Sequence, residues 1–182
     1  MPTIGVSIAI PSPYAELLQA KRASYGDPLA DSIPTHVTLL PPTEVDDAAM
    51  AEVTEHLQAV AESGHAFPMV LRGTGTFRPV SPVVFVQVSG GLAECEMLER
   101  SVRRGPLERE LDFYYHPHVT VAHHVPEDAL DRAFTDLADF ECLFDVTEFH
   151  LYEHGADAVW RPAHTFALNR DSHEQSHGGG GQ

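Results

Sequence analysis

Lysine is almost absent from this 182-residue sequence, and positive charge is scarce throughout. The sequence contains one lysine, Lys21, and ten arginines, compared with 27 Asp and Glu residues, so its formal net charge at pH 7 is −16. Non-specific affinity for nucleic acid comes mainly from basic side chains that displace counterions from phosphates. We therefore expect no binding of long duplex nucleic acid, and any nucleic-acid substrate would be a short end or a small nucleotide. Improved solubility is the alternative explanation of the acidity.

Long hydrophobic runs and clustered cysteines are also missing. No apolar run approaches the roughly 18–20 residues of a membrane span, and residues 1–10 lack the pattern of a signal peptide. We expect a cytoplasmic protein without a membrane partner, and a monomer. The two cysteines, Cys95 and Cys142, lie far apart and form no C-x-x-C pair, so neither a disulfide scaffold nor a zinc ribbon is predicted. Both are interpreted as buried apolar side chains.

Helical and strand patterns alternate along the chain. Apolar residues at spacings of three and four predict helices, and β-branched runs between turn residues predict strands. The predicted helices cover residues 14–23, 46–63 and 92–104, with a fourth after Pro126 whose Leu130, Phe134 and Leu137 face the core. The predicted strands are "TIGVSIAI", residues 35–40 stopped by Pro41 and Pro42, "FPMVLRGTGTF" and "SPVVFVQVSG" around a Gly-rich turn, "HVTVAH", "CLFDVTEFHLYEHG" and "VWRPAHTFAL".

The pattern strand, helix, strand, turn, strand occurs twice, over about residues 35–89 and 117–168. Such recurrence indicates an internal duplication. The predicted fold is α+β, with one domain over residues 1–170. It has two βαββ-type lobes related by a pseudo-twofold axis, antiparallel sheets facing a central cleft, and helices outside. The tail, residues 171–182, has no apolar side chain to bury and is predicted to be disordered.

Histidine is abundant, and two of the 12 begin the same short motif. His36 and Thr38 form one His-x-Thr motif, and His118 and Thr120 form the other, 82 positions later. A single motif of this kind arises by chance, so its weight comes from recurrence at the start of matching strands. Because strand side chains alternate between faces, the histidine and threonine of each motif lie on the same face. The pseudo-twofold would place both pairs across one cleft.

Two facing imidazoles suit in-line attack at phosphorus. One histidine would take a proton from the attacking hydroxyl or water, and the other would give one to the departing oxygen. The threonine hydroxyls would donate to the non-bridging phosphate oxygens. This chemistry requires neither a metal nor a cofactor. The alternative is that both are partly buried strand histidines that only bond to the backbone.

Three stretches, "THVTLLPP", "GTGTFRPVSPVVFVQV" and "FYYHPHVTVAH", resemble the 2H phosphoesterase superfamily. Within it they resemble the bacterial 2'-5' RNA ligase-like or RNA 2',3'-cyclic phosphodiesterase (LigT-like) group. The resemblance implies a bilobal α/β fold and metal-independent opening of a cyclic phosphodiester, or reversible 2'-5' linkage chemistry. It also implies that His36, Thr38, His118 and Thr120 are catalytic. The expected substrate is a small cyclic nucleotide or an RNA terminus.

Four further residues are candidates for substrate binding. Relatives often carry Arg three residues after the second Thr, where this sequence has His123, a weaker and pH-dependent phosphate contact. Phe77 and Tyr115 are candidates for stacking on a base, with packing as the alternative. Arg78 is a candidate for neutralising a phosphate, with exposed solubilising charge as the alternative. Simple alternation places His123 on the face opposite His118.

Two other functions compete with a cyclic phosphodiesterase. A zinc site formed by His116, His118 and His124 is one alternative, although it leaves His36 and the repeat unexplained. A non-catalytic module that holds a nucleotide in the same cleft is the other. The sequence fixes neither the direction of reaction nor which histidine is the base.

Overall fold

The computed structural model describes residues 1–170, and the predicted disordered tail lies outside them. It contains eight strands and four α-helices within this part of the chain, besides two 3-10 turns at Asp47–Ala49 and Gly105–Leu107. In chain order they are β1 (Thr3–Ala9), α1 (Tyr14–Ser24), β2 (His36–Glu44), α2 (Met50–Ser63), β3 (Phe67–Thr76), β4 (Val83–Gly90), α3 (Leu92–Val102), β5 (His118–His123), α4 (Glu127–Asp136), β6 (Glu141–Val146), β7 (Glu148–His154) and β8 (Trp160–Ala167).

The strands form two four-stranded antiparallel sheets with equivalent arrangements. Their orders are β2-β1-β7-β8 and β5-β4-β3-β6. In each sheet a motif strand, β2 or β5, lies at the edge beside the strand that precedes it in the chain. The two edge strands contact each other, α1 packs against β5, and α3 packs against β2. The predicted α+β class with two lobes and antiparallel sheets is confirmed.

Each sheet draws its strands from both halves of the chain. β3 and β4 belong to the first predicted repeat, yet they lie in the sheet whose edge strand begins at His118. β1, which lies before the first repeat, pairs with β7 near the end of the second. The repeats at 35–89 and 117–168 are thus interleaved between the sheets, and the lobes are not consecutive segments.

The first motif strand continues through its two prolines. The sequence predicted an end at Leu40, but β2 runs on through Pro41 and Pro42 to Glu44. Proline lacks a donor and is tolerated in a strand at a sheet edge or a bulge. β2 is an edge strand, and its register against β1 shifts just before the prolines.

The segment predicted as one strand, "CLFDVTEFHLYEHG", is two strands in different sheets. β6 pairs with β3, whereas β7 pairs with β1 and β8. The chain crosses between the sheets at Thr147, which belongs to neither strand. High strand propensity continues across that residue, so the sequence pattern hides the crossing.

Two smaller predictions were also wrong. The Gly-rich residues lie inside β3, and the turn to β4 starts at Phe77. Gly73 has φ +69° at an irregularity in the β3–β4 register, a conformation that favours glycine. Phe134 was expected in the core, yet it is 39% exposed on the outer side of α4.

One continuous hydrophobic core joins both sheets to the helices. Phe149, Ile4, Leu57 and Leu130 are among its fully buried members. Cys95 and Cys142 are buried free thiols, as predicted. No helix within residues 1–170 has the length and apolarity needed to cross a membrane.

Candidate active site

A β-bulge follows the threonine of the first motif. Ser7 of β1 is opposite Thr38, but Val6 is opposite Leu40, so Leu39 is an extra residue in β2. Leu39 and Leu40 are consequently both buried, while His36 and Thr38 are half-buried on the other face. A bulge of this kind adds one residue to a strand and resets which face the following side chains occupy.

The second motif carries the same bulge at the same position. Phe85 of β4 is opposite Thr120 and Val84 is opposite Ala122, so Val121 is the extra residue. Val121 and Ala122 are both buried, and His123 is half-buried. The reset returns His123 to the face of His118 and Thr120, so the prediction of the opposite face was wrong.

Both motif histidines are held by the same local hydrogen bond. Nδ1 of His36 lies 2.6 Å from the carbonyl oxygen of Pro34, and Nδ1 of His118 lies 2.7 Å from that of His116. A carbonyl oxygen only accepts, so Nδ1 carries the proton and donates it in both rings. Nε2 of each ring has no hydrogen-bond partner among residues 1–170 and is the nitrogen available for proton transfer.

A side-chain hydrogen bond connects the segment before β5 to β2. The hydroxyl of Tyr115, three residues before His118, donates to the carbonyl oxygen of Thr38 over 2.7 Å. Through this bond the segment leading into β5 is fixed to the middle of the His36 motif. The charge of His118 contributes to the lowered pKa of His36, whose main cause is burial, in agreement with the contact between the two edge strands.

Thr38 lines two recesses, one beside each histidine. The His36 recess has a volume of about 50 Å³ and is also lined by Ser7, Pro34, Tyr152 and Trp160. The larger one, the His118 groove, measures about 520 Å³. Its walls are mainly apolar and aromatic: Leu39, Pro41, Phe77, Val80, Leu111, Phe113, Tyr114, Tyr115, His116 and His118.

Aromatic rings surround His118. The ring of Phe77 meets it edge to face, with centroids 5.0 Å apart, and the Phe85 ring is 5.1 Å away. His116 lies within 6.0 Å of it. Gly75 makes this packing possible, because a Cβ at that position would lie 2.6 Å from the Phe85 ring. The Gly-x-Gly-x-Phe stretch therefore shapes the wall beside His118.

Burial lowers the pKa of both histidines. Burial of the ring is the main reason that the pKa of His36 falls to about 4, and the charges of Arg22 and His118 add to it. The hydrogen bond to Pro34 acts in the opposite direction. Burial also lowers the pKa of His118, with a smaller contribution from His116. The neutral form of both imidazoles is therefore favoured at pH 7.

The hydroxyls of Thr38 and Thr120 are unused by the described fold. Neither Oγ1 donates to or accepts from another group within residues 1–170, and neither residue is exposed or fully buried. Both threonines lie on the same strand face as their motif histidine. Two hydroxyl donors are thus available beside the two imidazoles.

Of the four predicted substrate-binding residues, the structure brings Phe77 and Tyr115 to the His118 groove. Arg78 is directed elsewhere, because its guanidinium binds Asp131 at 2.8 Å and Glu127 at 3.2 Å on α4. His123 stacks on His124, with centroids 3.7 Å apart, at the end of β5. The carboxylates of Glu127 and Asp131 neutralise the guanidinium of Arg78, and these two ion pairs explain why the side chain is directed towards α4.

Sequence reasoning missed one buried ion pair near the site. Arg22 of α1 donates from Nε to Oδ2 of Asp27 over 2.8 Å, and both residues are buried. A signal was available, because Arg22 follows the buried Leu18 by four residues and so falls on the buried face of α1.

No group of three or more His, Cys, Asp or Glu side chains within residues 1–170 is placed to hold a metal ion. His124, a member of the alternative zinc site, has φ +58° and stacks on His123. The three histidines of that alternative are therefore not gathered into one ligand set.

Comparisons with known proteins agree with this architecture. A family model described as the 2'-5' RNA ligase superfamily matches residues 10–158. A protein of Bacillus cytotoxicus named as a phosphoesterase is 26% identical over 150 residues, which cover 80% of this chain and 86% of the relative. A similarly named protein of Halalkalibacterium halodurans is 29% identical over 126 residues, or 69% of this chain and 72% of the relative.

Solved structures with the same fold include E. coli LigT. Its complex with 3'-AMP superposes with a TM-score of 0.72 at 20% identity, covering 93% of this chain and all of LigT. The LigT complex with NADP+ gives the same TM-score at 22% identity and covers 98% of LigT. Similarity at this level of identity establishes the fold.

Proposed function

The chain belongs to the 2'-5' RNA ligase superfamily, and from this premise we propose that it opens 2',3'-cyclic phosphodiesters by paired-histidine catalysis. The substrates would be small cyclic nucleotides or RNA ends. The main support for the proposal is that His36 and His118 have the same hydrogen-bonding arrangement. On two contacting edge strands, each ring donates Nδ1–H to a carbonyl two residues earlier and keeps Nε2 available.

The proposed reaction is an in-line displacement by water. Nε2 of one histidine takes a proton from water as its oxygen bonds to phosphorus. One of the two ring P–O bonds breaks, and Nε2–H of the other histidine gives its proton to the leaving ribose oxygen. The product is a nucleoside monophosphate. Each Nδ1–H bond keeps its ring oriented through both proton transfers.

We assign His36 as the base and His118 as the acid. The pKa of His36, lowered to about 4 mainly by burial, keeps its Nε2 unprotonated over most of the pH range. His118 lies beside the larger groove, where a ribose and its leaving oxygen have room. With a ribose hydroxyl in place of water as the nucleophile, the same steps would open the cyclic phosphate and form a phosphodiester linkage, which is the ligase reaction on the same site.

The threonines and the groove would bind the rest of the substrate. The free hydroxyls of Thr38 and Thr120 would donate to the non-bridging oxygens as negative charge builds up. The apolar His118 groove, with Phe77 and Tyr115 in its wall, suits a nucleobase. The LigT complexes with 3'-AMP and NADP+ support a nucleotide as the ligand of this fold.

The test measures hydrolysis of the four 2',3'-cyclic nucleotides and of short oligonucleotides with a cyclic phosphate end. His36→Ala and His118→Ala are each expected to lower kcat by about two to four orders of magnitude, the range for a general acid or base. His164→Ala is the control, because His164 is an exposed histidine on β8. An active His118→Ala variant would refute paired-histidine catalysis.

The competing binding module predicts another result. A module without catalysis would bind nucleotide in the wild type and turn over no substrate in the panel. Activity that survives a chelator and disappears in both histidine variants supports the enzyme over the binding module and over a zinc protein.

A further inference from the structure

The candidate site has a shortage of positive charge. Among residues 1–170 and apart from histidines, Glu99 is the only charged side chain that lines the His36 recess or the His118 groove. The neutral forms of His36 and His118 are favoured near pH 7, because burial lowers both pKa values. A phosphodiester that enters this site carries negative charge, and binding it away from bulk water requires a cation or several oriented donors.

Arg22 is a buried cation close to both motif strands. It lies in the last turn of α1, the helix that packs against β5, and is only 7% exposed. Burial is the main reason that the pKa values of His36 and His123 are lowered, and the positive charge of Arg22 contributes to both. The guanidinium therefore acts on one residue of each motif strand.

Asp27 fixes the guanidinium relative to β5. Its Oδ2 accepts from Nε of Arg22 over 2.8 Å and from the backbone N–H of His123 over 2.9 Å. Its Oδ1 accepts from the backbone N–H of Leu29 over 2.9 Å. Three donors thus hold one carboxylate, which connects α1 and the following loop to the end of the second motif strand.

The remaining donors of Arg22 are unused. Nη1 and Nη2 bind no group within residues 1–170, where Nε is the only guanidinium nitrogen with a partner. In the same part of the chain no fully buried side-chain nitrogen lacks a hydrogen-bond partner. Both terminal nitrogens are therefore not fully buried, and their N–H groups form the planar fork that binds two oxygens of a phosphate.

We propose that Arg22 is the phosphate-binding cation of the site, with its terminal N–H groups donating to the non-bridging oxygens of the substrate and Asp27 holding it in position. This inference rests on the proposed function and specifies how its substrate is bound. His123, at the end of β5, is charged only when its ring is protonated. Arg22 of α1 is always charged and would supply a permanent positive charge at this place. A purely structural ion pair, which connects α1 and its following loop to β5, is the competing explanation.

The experiment compares Arg22→Lys and Arg22→Met with wild type. Inorganic phosphate is the binding probe, measured by calorimetry, and a 2',3'-cyclic nucleotide is the substrate. Lysine keeps the charge and loses the fork, so phosphate affinity is expected to fall and KM to rise by about 10- to 100-fold, the effect of one or two charge-assisted hydrogen bonds. Arg22→Met removes the charge as well as the fork, so its phosphate affinity is expected to fall, and its KM to rise, by more than in Arg22→Lys. Thermal unfolding checks that each variant is folded.

Arg72→Met is the matched control, because Arg72 is an exposed arginine of β3 paired with Glu141. It removes the same charge away from the site and is expected to leave phosphate affinity and KM unchanged. Folded Arg22 variants that bind phosphate and turn over substrate like wild type would overturn the assignment, even if His118→Ala is inactive. Phosphate binding that depends on Arg22 in a protein without turnover would support the anion site and refute the proposed function.

A measurement on the wild-type protein needs no substitution. Arginine side-chain NMR signals are followed while inorganic phosphate is added. The Arg22 guanidinium signals are expected to shift in a saturable manner with the same Kd as in calorimetry, while those of Arg72 stay constant. Arg22 signals that do not respond under saturating phosphate would overturn the proposal, including the case in which both Arg22 variants fail to fold.

Discussion

The two motif strands have the same backbone geometry and different surroundings. β2 and β5 are both edge strands, each with an Nδ1 hydrogen bond to a carbonyl two residues before its histidine and a bulge after its threonine. His36 adjoins a recess of about 50 Å³ and is influenced by the buried Arg22. His118 adjoins a groove of about 520 Å³ and touches the rings of Phe77 and Phe85.

This difference shows how a duplicated motif can acquire two environments, and under the proposed function two roles. The shared backbone features orient both rings in the same way and leave the same nitrogen available. The neighbours then set how readily each ring is protonated and how much space lies beside it. Burial with a nearby cation favours a neutral imidazole at His36, as the proposed base requires, while the wide aromatic groove beside His118 has room for the leaving group of the proposed substrate.

The largest expected effect separates the roles of the two histidines. On a cyclic nucleotide, His36→Ala and His118→Ala should both lose about two to four orders of magnitude in kcat. On methyl 4-nitrophenyl phosphate, whose leaving group needs no proton, His118→Ala should lose far less, whereas His36→Ala should remain as impaired. Release of 4-nitrophenol measures both. If His36→Ala were the variant that recovers, the two roles would be exchanged.

The next effect concerns the two hydroxyls. Thr38→Val and Thr120→Val preserve shape and remove one donor each, so kcat/KM on a cyclic nucleotide should fall by about 10- to 100-fold in each variant. Steady-state kinetics on both variants measures the loss. Equal losses would show that the hydroxyls act symmetrically on the phosphate, and an unchanged rate in either variant would contradict its role. Thr74→Val, on β3, is the control, because its hydroxyl donates to the carbonyl of Phe134 instead.

A pH profile sharpens the comparison further. The base must be neutral, so activity should rise as pH increases through the pKa of His36, about 4. The acid must be protonated, so activity should fall as pH increases through the pKa of His118, which burial lowers from 6.5. The profile of kcat/KM should be bell-shaped with its optimum below pH 6.5, changing about tenfold per pH unit on each limb. An optimum above pH 7 would contradict the assignment, provided that circular dichroism shows a folded protein throughout.

The smallest expected effect concerns the bond between the two motif strands. Tyr115→Phe removes the hydroxyl that donates to Thr38, so the free energy of unfolding should fall by about 1 kcal/mol. Because the bond joins the two motifs, kcat should also decrease by a few-fold. Urea unfolding and steady-state kinetics measure the two effects. Tyr14→Phe is the matched control, since the Tyr14 hydroxyl makes no hydrogen bond within residues 1–170 and Tyr14 lines neither recess. A loss of the same size in both variants would argue against a specific role of the bond.

Local patterns were sufficient to predict most helices and the two motif strands. The spacing of Val53, Leu57 and Val60 gave α2, and all three are buried. The crossing at Thr147 was missed because strand propensity continues through it. The end of β2 was predicted too early. An edge strand tolerates proline, but whether a strand lies at an edge depends on its pairing partners, which the sequence does not reveal.

The candidate site was only partly predictable for the same reason. The recurrence of His-x-Thr identified four residues, and the structure places both pairs on contacting edge strands. Arg78 was selected because it follows Phe77 in sequence, yet long-range ion pairs with α4 draw it away. The spacing of Arg22 from Leu18 indicated a buried position, but its proximity to β5, through the bond from His123 to Asp27, exists only after α1 packs.

By itself, the amino-acid sequence determined the acidic charge, the strand and helix periodicities, and the pairing of each histidine with a threonine on one strand face, because these depend on near neighbours in the chain. The tertiary structure alone decided that the strands interleave between two sheets and that His36 and His118 differ in neighbouring charges and in available space. Those properties arise from contacts between residues that are distant in sequence, and such contacts set both the local polarity around an imidazole and the volume beside it.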